Sequence, residues 1–297
     1  MATMVDYRSD RRATFGERLG ELWDYRDLLY NLTVRDLKVR YKHSWLGILW
    51  SLLNPLLIML VFTFAFTVMM PSNIPHYPVF LLAGLLPWTL FNTTIIGSAN
   101  QIIQNGALIS KVRFPREALP LSSVLSNSVN FMLSLIPLIF FLIASDINFT
   151  WNLLWLPLIF LIQFMLLTGL ALLFSALAVF VRDIVMVLDV AMLGLFFLTP
   201  IFYPLEQIQG TVNLFGQTLT LARVMRWINP MASIIDAYRG VIYGTIDWFP
   251  PPDSPIYYAP SAPDGAFILR TGLTALLILV VGWFYFRKMS PRFGEEL

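Results

Sequence analysis

Arg35, Lys38 and Lys42 stand three and four residues apart, so a helix through them carries three cations on one face. The chemistry open to such a face is anion capture, Arg offering a planar fork to phosphate oxygens and Lys a mobile point charge. A lipid-linked phosphate beside a transport path is one partner such a row would attract. A plain membrane anchor meeting anionic head groups is the other reading. Little else in the 297 residues suits bond making or breaking. There is no cysteine, and His43 and His76 are the only histidines, which excludes thiolate metal ligands, disulfides and cysteine nucleophiles. No G-x-x-x-x-G-K-[ST] occurs to cradle ATP phosphates, and there is no H-E-x-x-H, carboxylate cluster or Ser/His/Asp set. Asp36, Glu117 and Asp183 are scattered, without a D-x-D, so a transferase site is poorly supplied.

Asp189 is the one charge in the apolar stretch 184–203, near its cytoplasmic end. A lone acid does not make a proton relay, and Arg182, seven residues earlier, is its expected partner. Aromatic surface is plentiful, with 24 Phe, 11 Tyr and 9 Trp. Many sit at span ends, as interfacial anchors do. Trp88, Phe91, Phe202, Tyr203 and Trp227 fall near the expected outer half, where they would offer flat apolar faces to a sugar chain.

These residues need a membrane-embedded frame. Apolar residues make up 57% of the chain and charged ones 13%, with a mean hydropathy of +0.69, against about 45–50% and 25% in soluble domains. A cytosolic enzyme, a disordered chain and a disulfide scaffold are excluded together. The net charge of +2 is too small for nucleic-acid binding. Apolar runs predict an all-α integral membrane protein with six spans, at about 46–70, 79–103, 118–145, 151–181, 184–203 and 266–286. Sixteen of the 20 Lys and Arg fall in residues 1–45, the second and fourth connections and the tail 287–297, which places both termini in the cytoplasm. Arg223, Arg226, Arg239 and Arg270 lie on the other side. Asn92 in the second span, and Ser126, Asn127 and Asn130 in the third, are costly against lipid and should face protein or a hydrated path.

Three connecting segments are more than loop. Leu22, Tyr25, Leu28, Leu29 and Leu32 form an apolar stripe, predicting an amphipathic helix in the interface plane with that stripe in the acyl boundary. In Asn105–Pro120, a turn at Asn105–Gly106 and a breaker at Pro115 bracket Leu108, Ile109, Val112 and Phe114. That apolar content predicts a short helix docked on another protein, or a loop folded back on the chain's own helices. Within Pro204–Gly265, residues 204–244 read as short helices that dip into the outer leaflet and return, with Asp236 and Arg239 spaced to pair. The proline-rich remainder reads as an extended external loop.

R-D-L-K-V-R-Y-K-H-S-W-L-G-I-L-W-S-L-L-N-P-L (Arg35–Leu56), G-L-L-P-W-T-L-F (Gly84–Phe91) and K-V-R-F-P-R-E-A-L-P-L (Lys111–Leu121) occur in that order. V-R-D-I (Val181–Ile184), T-P-I-F-Y (Thr199–Tyr203) and I-N-P-M…Y-R-G (Ile228–Gly240) follow. Together they resemble the permease subunits of type-2 ABC exporters for cell-surface polysaccharides such as O-antigen, teichoic acid and capsule. The resemblance implies a homodimer in the bacterial plasma (inner) membrane, with two copies of a separate ATPase subunit. ATP and magnesium would sit on that subunit and no cofactor on this chain, the cargo being a polyprenyl-diphosphate-linked glycan. By the same resemblance Asn105, Leu108, Ile109, Lys111, Arg113, Phe114 and Arg116 belong to the coupling helix. Arg35, Lys38, Arg40 and Lys42 would meet the lipid diphosphate. Trp88, Phe91, Asn92, Ser126, Asn127, Asn130, Phe202, Tyr203, Trp227 and Tyr238 would form the glycan path and re-entrant gate. A similar permease for drugs or lipids is the first alternative, and a membrane-embedded glycosyl- or phosphotransferase the second.

Overall fold

The computed structural model describes residue 20 and residues 23–42, 44–70, 74–112, 114–145, 147, 150–208, 210–214, 217–246 and 258–296. Helix α1 (Arg26–Tyr41) precedes a short 3-10 turn, Gly47–Leu49, that runs into α2 (Trp50–Phe64). Then come α3 (Tyr77–Gln104), the two-turn α4 (Gly106–Lys111), α5 (Ala118–Ala144), α6 (Leu156–Phe180) and α7 (Ile184–Leu198). Antiparallel strands β1 (Thr211–Leu214) and β2 (Gln217–Thr220) lead to α8 (Leu221–Ile228) and α9 (Pro230–Ile242). A second small pair, β3 (Thr245–Ile246) with β4 (Tyr258–Ala259), precedes α10 (Gly265–Met289) and the terminal turn α11 (Phe293–Glu296). The all-α expectation thus holds apart from two short hairpins.

Five helices are long and apolar enough to cross a membrane: Gly47–Met69, Tyr77–Gln104, Ala118–Ala144, Trp151–Phe180 and Gly265–Glu296. The ends of the first four fall within two residues of the expected ones, whereas the last helix continues to Glu296, ten residues past the expected 286. The expected fifth span is shorter. Helix α7 has 15 residues, or about 22 Å at 1.5 Å per residue against a hydrocarbon core of about 30 Å. It stops at Leu198 because Pro200 disfavours helical backbone at Thr199, which is extended.

Helix α3 is the hub, buried along most of its length and packed against α2, α5, α6, α7 and α9. Gln163 of α6, fully buried, donates to the Pro87 carbonyl of α3 at 2.8 Å. The closest helix pair is α6 with α10, which meet at Gly169 and Gly282. A Cβ on Gly169 would lie 2.6 Å from the Leu279 backbone, so only glycine permits this approach. The outward faces of α2, α7 and α10 expose Leu60, Val190 and Leu277, as lipid-facing or partner-facing surfaces do.

At one end of the bundle α1, α4, α11 and the end of α10 share a small core containing Leu32, Ile109, Phe286 and Phe293. This corrects the interface-helix expectation. Leu28, Leu29 and Leu32 of α1 pack on the chain's own helices rather than into an acyl boundary, while Leu22 lies outside the described residues. Segment 204–244 is helical as expected in α8 and α9, with the β1–β2 hairpin inserted before them. Most of the proline-rich loop, residues 247–257, lies outside the described residues.

Candidate functional site

The basic end is knotted by one acid. Asp36 Oδ1 accepts from Arg35 Nη2 at 2.9 Å, and its Oδ2 accepts from Gln101 Nε2 and Ser122 Oγ, each at 3.0 Å. One carboxylate therefore joins α1, α3 and α5. Arg35 also donates through Nη1 to Asn105 Oδ1 at 2.9 Å, bolting α1 to the turn that opens α4. Asn105 in turn donates to the Gln101 carbonyl at 2.8 Å and to its Oε1 at 3.0 Å. Sequence reasoning missed Asp36 as the organiser; its signal was an acid set inside a basic run.

One turn further along the chain, Arg40 Nη2 donates to Asn127 Oδ1 at 2.8 Å and the Tyr41 hydroxyl to Asn130 Oδ1 at 2.7 Å. Three cavities meet at Arg40. The first, about 460 Å³, lies toward the basic end among Arg35, Asp36, Asn100, Gln101, Asn105 and Ser126. The second, about 370 Å³, runs between α2, α3 and α5 past Asn54, Thr93, Asn127 and Asn130. The third, about 790 Å³, is lined by Asn54, Thr89, Asn92 and Thr93 with Phe62, Trp88 and Phe196, and carries Asp189. Arg40 alone is common to all three. The result is a groove that starts among charges, continues over amides and hydroxyls, and ends against aromatic rings.

Of the four expected cations, Arg35 and Arg40 line this groove, whereas Lys38 and Lys42 are exposed and line none of these cavities. Arg35 and Arg40 are thus the two cations at the groove, because α1 turns Arg35 toward α3 and its last turn delivers Arg40, itself exposed, to Asn127 of α5. Asp189 makes no ion pair with Arg182 or with any other described residue; it is exposed and faces the third cavity.

Four of the six expected aromatic residues come together and two, Trp227 and Tyr238, do not. Trp88 and Phe91 touch at 5.5 Å between centroids, and Phe196 bridges Trp88 (5.8 Å) to Phe202 (5.8 Å), which stacks edge-on to Tyr203 at 5.1 Å. Phe62 and Phe66 of the first span join this wall. Phe62, Phe66 and Phe196 were not singled out beforehand, because period alone does not tell a lipid-facing ring from a groove-facing one. Trp227, on α8, is 54% exposed and apart from the wall. Tyr238 is also elsewhere, buried edge-on to Phe131 beside an apolar cavity between α5, α6 and α9.

Helix α4 reverses part of the docking expectation. Ile109 is buried in the chain's own core, and Leu108 and Phe114 pack against the same cluster. These three therefore belong to the bundle, while Ala107, Lys111 and Val112 are exposed. Arg116 donates to the Ser290 carbonyl and lies 5.9 Å over Phe293, tying this connection to the tail. Burial pulls the Arg116 guanidinium below its usual range, and Glu117 partly offsets that. Arg113 lies outside the described residues.

At the opposite end, Arg239 is buried over the Phe80 ring at 3.8 Å and donates to the carbonyls of Ile201 (2.8 Å) and Tyr203 (3.3 Å). Asn229 caps α9 through Met231 N at 3.0 Å and donates to Thr199 Oγ1 at 2.8 Å. Asp236, expected to pair with Arg239, forms an ion pair with Arg226 at 2.7 Å.

Residues 27–243 match the family model for the ABC-2 type transporter. The chain belongs to that family. It is 40% identical over 277 residues, 93% of this chain and 98% of the relative, to the O-antigen export system permease protein RfbA of Myxococcus xanthus. Two proteins of the same name from Klebsiella pneumoniae are 33% and 32% identical over 273 residues, each 91% of this chain and 95% of the relative. Within this ABC-2 chain the motifs T-P-I-F-Y, I-N-P-M and Y-R-G acquire a physical reason. Thr199, Asn229 and Arg239 brace the end of α7 against α9, and a Cβ on Gly84 would lie 2.7 Å from the Arg239 guanidinium that this brace requires.

Proposed function

We propose that this chain is the transmembrane permease subunit of an ATP-driven exporter that moves a polyprenyl-diphosphate-linked polysaccharide, of O-antigen type, outward across the bacterial inner membrane. The groove carries the reading. It offers Arg35 and Arg40 at its basic end, amides and hydroxyls along its course, and an aromatic wall beyond. A diphosphate is a compact anion suited to the Arg pair. Sugars present hydroxyl edges to amides and apolar faces to rings. The same sequence of surfaces fits a drug or a simple lipid less well, because neither needs a long run of hydrogen-bonding side chains. A transferase would need clustered acids, and among the described residues Asp36 is already committed to three side chains.

In this reading α7 completes a sixth pass. The meeting of α1 with α11 at one end of the bundle supports an even number of crossings, both termini being cytoplasmic by the charge asymmetry. Helices α8 and α9 act as the re-entrant gate on the outer side. Two protomers enclose the path between their α2 and α7 faces, and two separate ATPase subunits dock below. The stroke enters at α4 through Lys111 and Val112 and passes by Asn105 and Arg35 to α1, and so to Arg40. Purification of the permease with its ATPase subunit, followed by ATP hydrolysis assays with a polyprenyl-diphosphate oligosaccharide, tests the assignment. Stimulation by the glycolipid is expected. Failure to co-purify an ATP-hydrolysing subunit would contradict it.

A further inference from the structure

The third cavity holds a feature that the export reading leaves unused. Helix α7 carries a single charge in 15 residues, Asp189, which is exposed toward that cavity and unpaired with any described residue. A carboxylate in an otherwise apolar membrane helix costs several kcal/mol unless it meets water, a cation or a ligand, so such a residue marks a functional surface. Its surroundings narrow the choice. Arg40 borders the same cavity but is already bonded to Asn127 on α5. The remaining polar lining, Asn54, Thr89, Asn92 and Thr93, is neutral, and the walls are Phe62, Trp88 and Phe196.

We propose that this cavity is a saccharide subsite that admits neutral sugars and turns away anionic ones, with Asp189 as the residue that makes the distinction. The proposal rests on the exporter reading above. The carboxylate oxygens accept hydrogen bonds from sugar hydroxyls, the amides and threonines offer both donors and acceptors, and the rings take the apolar face of the sugar. An acidic sugar entering the same space places its carboxylate near that of Asp189 in a partly dehydrated setting. Arg40 stands at the mouth, where three cavities meet, and Asp189 lines only the aromatic one. An acidic sugar that passes Arg40 therefore meets a like charge in this cavity, while an uncharged sugar does not.

The test uses the permease–ATPase complex in nanodiscs and two synthetic polyprenyl-diphosphate trisaccharides, one neutral and one with a hexuronic acid as its second sugar. The readout is the concentration of each that half-stimulates ATP hydrolysis. The wild-type complex should prefer the neutral compound about 3- to 10-fold, as expected for two unit charges roughly 7 Å apart in a hydrated cavity. The preference should shrink as ionic strength rises. Asp189→Asn should bring the ratio to near one, and Asp189→Glu should retain it. Equal response of the wild type to both compounds, a preference insensitive to salt, or an unchanged ratio in Asp189→Asn would overturn the subsite. Absence of stimulation by either compound would instead sink the exporter reading on which it rests.

Discussion

Ile109 separates two roles that a coupling segment can combine, docking and packing. Its side chain is 7% exposed and sits among Leu32, Ile102, Leu119 and Phe293, whereas Val112, three residues on, is 52% exposed. Ile109→Ala removes three carbons from this core, worth about 0.8 kcal/mol each in transfer free energy. With the residual cavity added, the cost should be about 2–4 kcal/mol. Val112 lies outside that core, and Val112→Asp should change stability by no more than about 0.5 kcal/mol. It does place a charge on the face we assign to the ATPase. Thermal unfolding of the detergent-purified permease, read beside ATPase co-purification, distinguishes the two. We expect Ile109→Ala to lower the melting temperature while still capturing the ATPase below it, and Val112→Asp to melt like wild type and lose the ATPase. An Ile109→Ala variant with wild-type melting and no ATPase capture would refute the packing assignment.

Other consequences follow from the same contacts. Gly282→Leu forces α10 away from Gly169 and should destabilise the permease by at least about 1–3 kcal/mol, seen as lower melting, while Gly294→Ala, with open space around it, should be silent. Arg40→Gln removes the guanidinium shared by the three cavities, and should raise the half-stimulating concentration of a polyprenyl-diphosphate glycan at least about tenfold while the ATPase still co-purifies. In this cysteine-free chain, a single cysteine at Gly294 should label only from the cytoplasmic side and one at Thr211 only from outside. External labelling at 294 would contradict an even number of crossings.

Uninterrupted apolar runs made the long spans legible, and most of their ends, where a charge, a proline or the Asn105–Gly106 turn closes the run. The shortness of α7 was less visible, since residues 199–203 are uncharged and include Ile201 and Phe202, and the Thr199–Pro200 step ends the helix. Amphipathic period identified α1 and α4 but not what their apolar sides meet. The stripe through Leu28, Leu29 and Leu32 could equally face acyl chains or protein, and the bundle end that covers it comes from residues more than 60 positions away. For the same reason Ile109 read as a docking residue. In the groove, the types were legible and the partners were not. Asn127 and Asn130 were expected to face a polar path, yet the side chains that reach them, Arg40 and Tyr41, lie 87 and 89 residues away.

The central claim is that this chain carries a lipid-linked glycan across the membrane at the expense of ATP hydrolysed by a partner. Inverted membrane vesicles containing the permease and its ATPase, loaded on their outer face with a labelled polyprenyl-diphosphate oligosaccharide, test it directly. Addition of ATP should move the label out of reach of an externally added glycosidase, and Arg40→Gln should slow that protection. Label that remains fully accessible with ATP present, or becomes protected equally without it, would contradict the account.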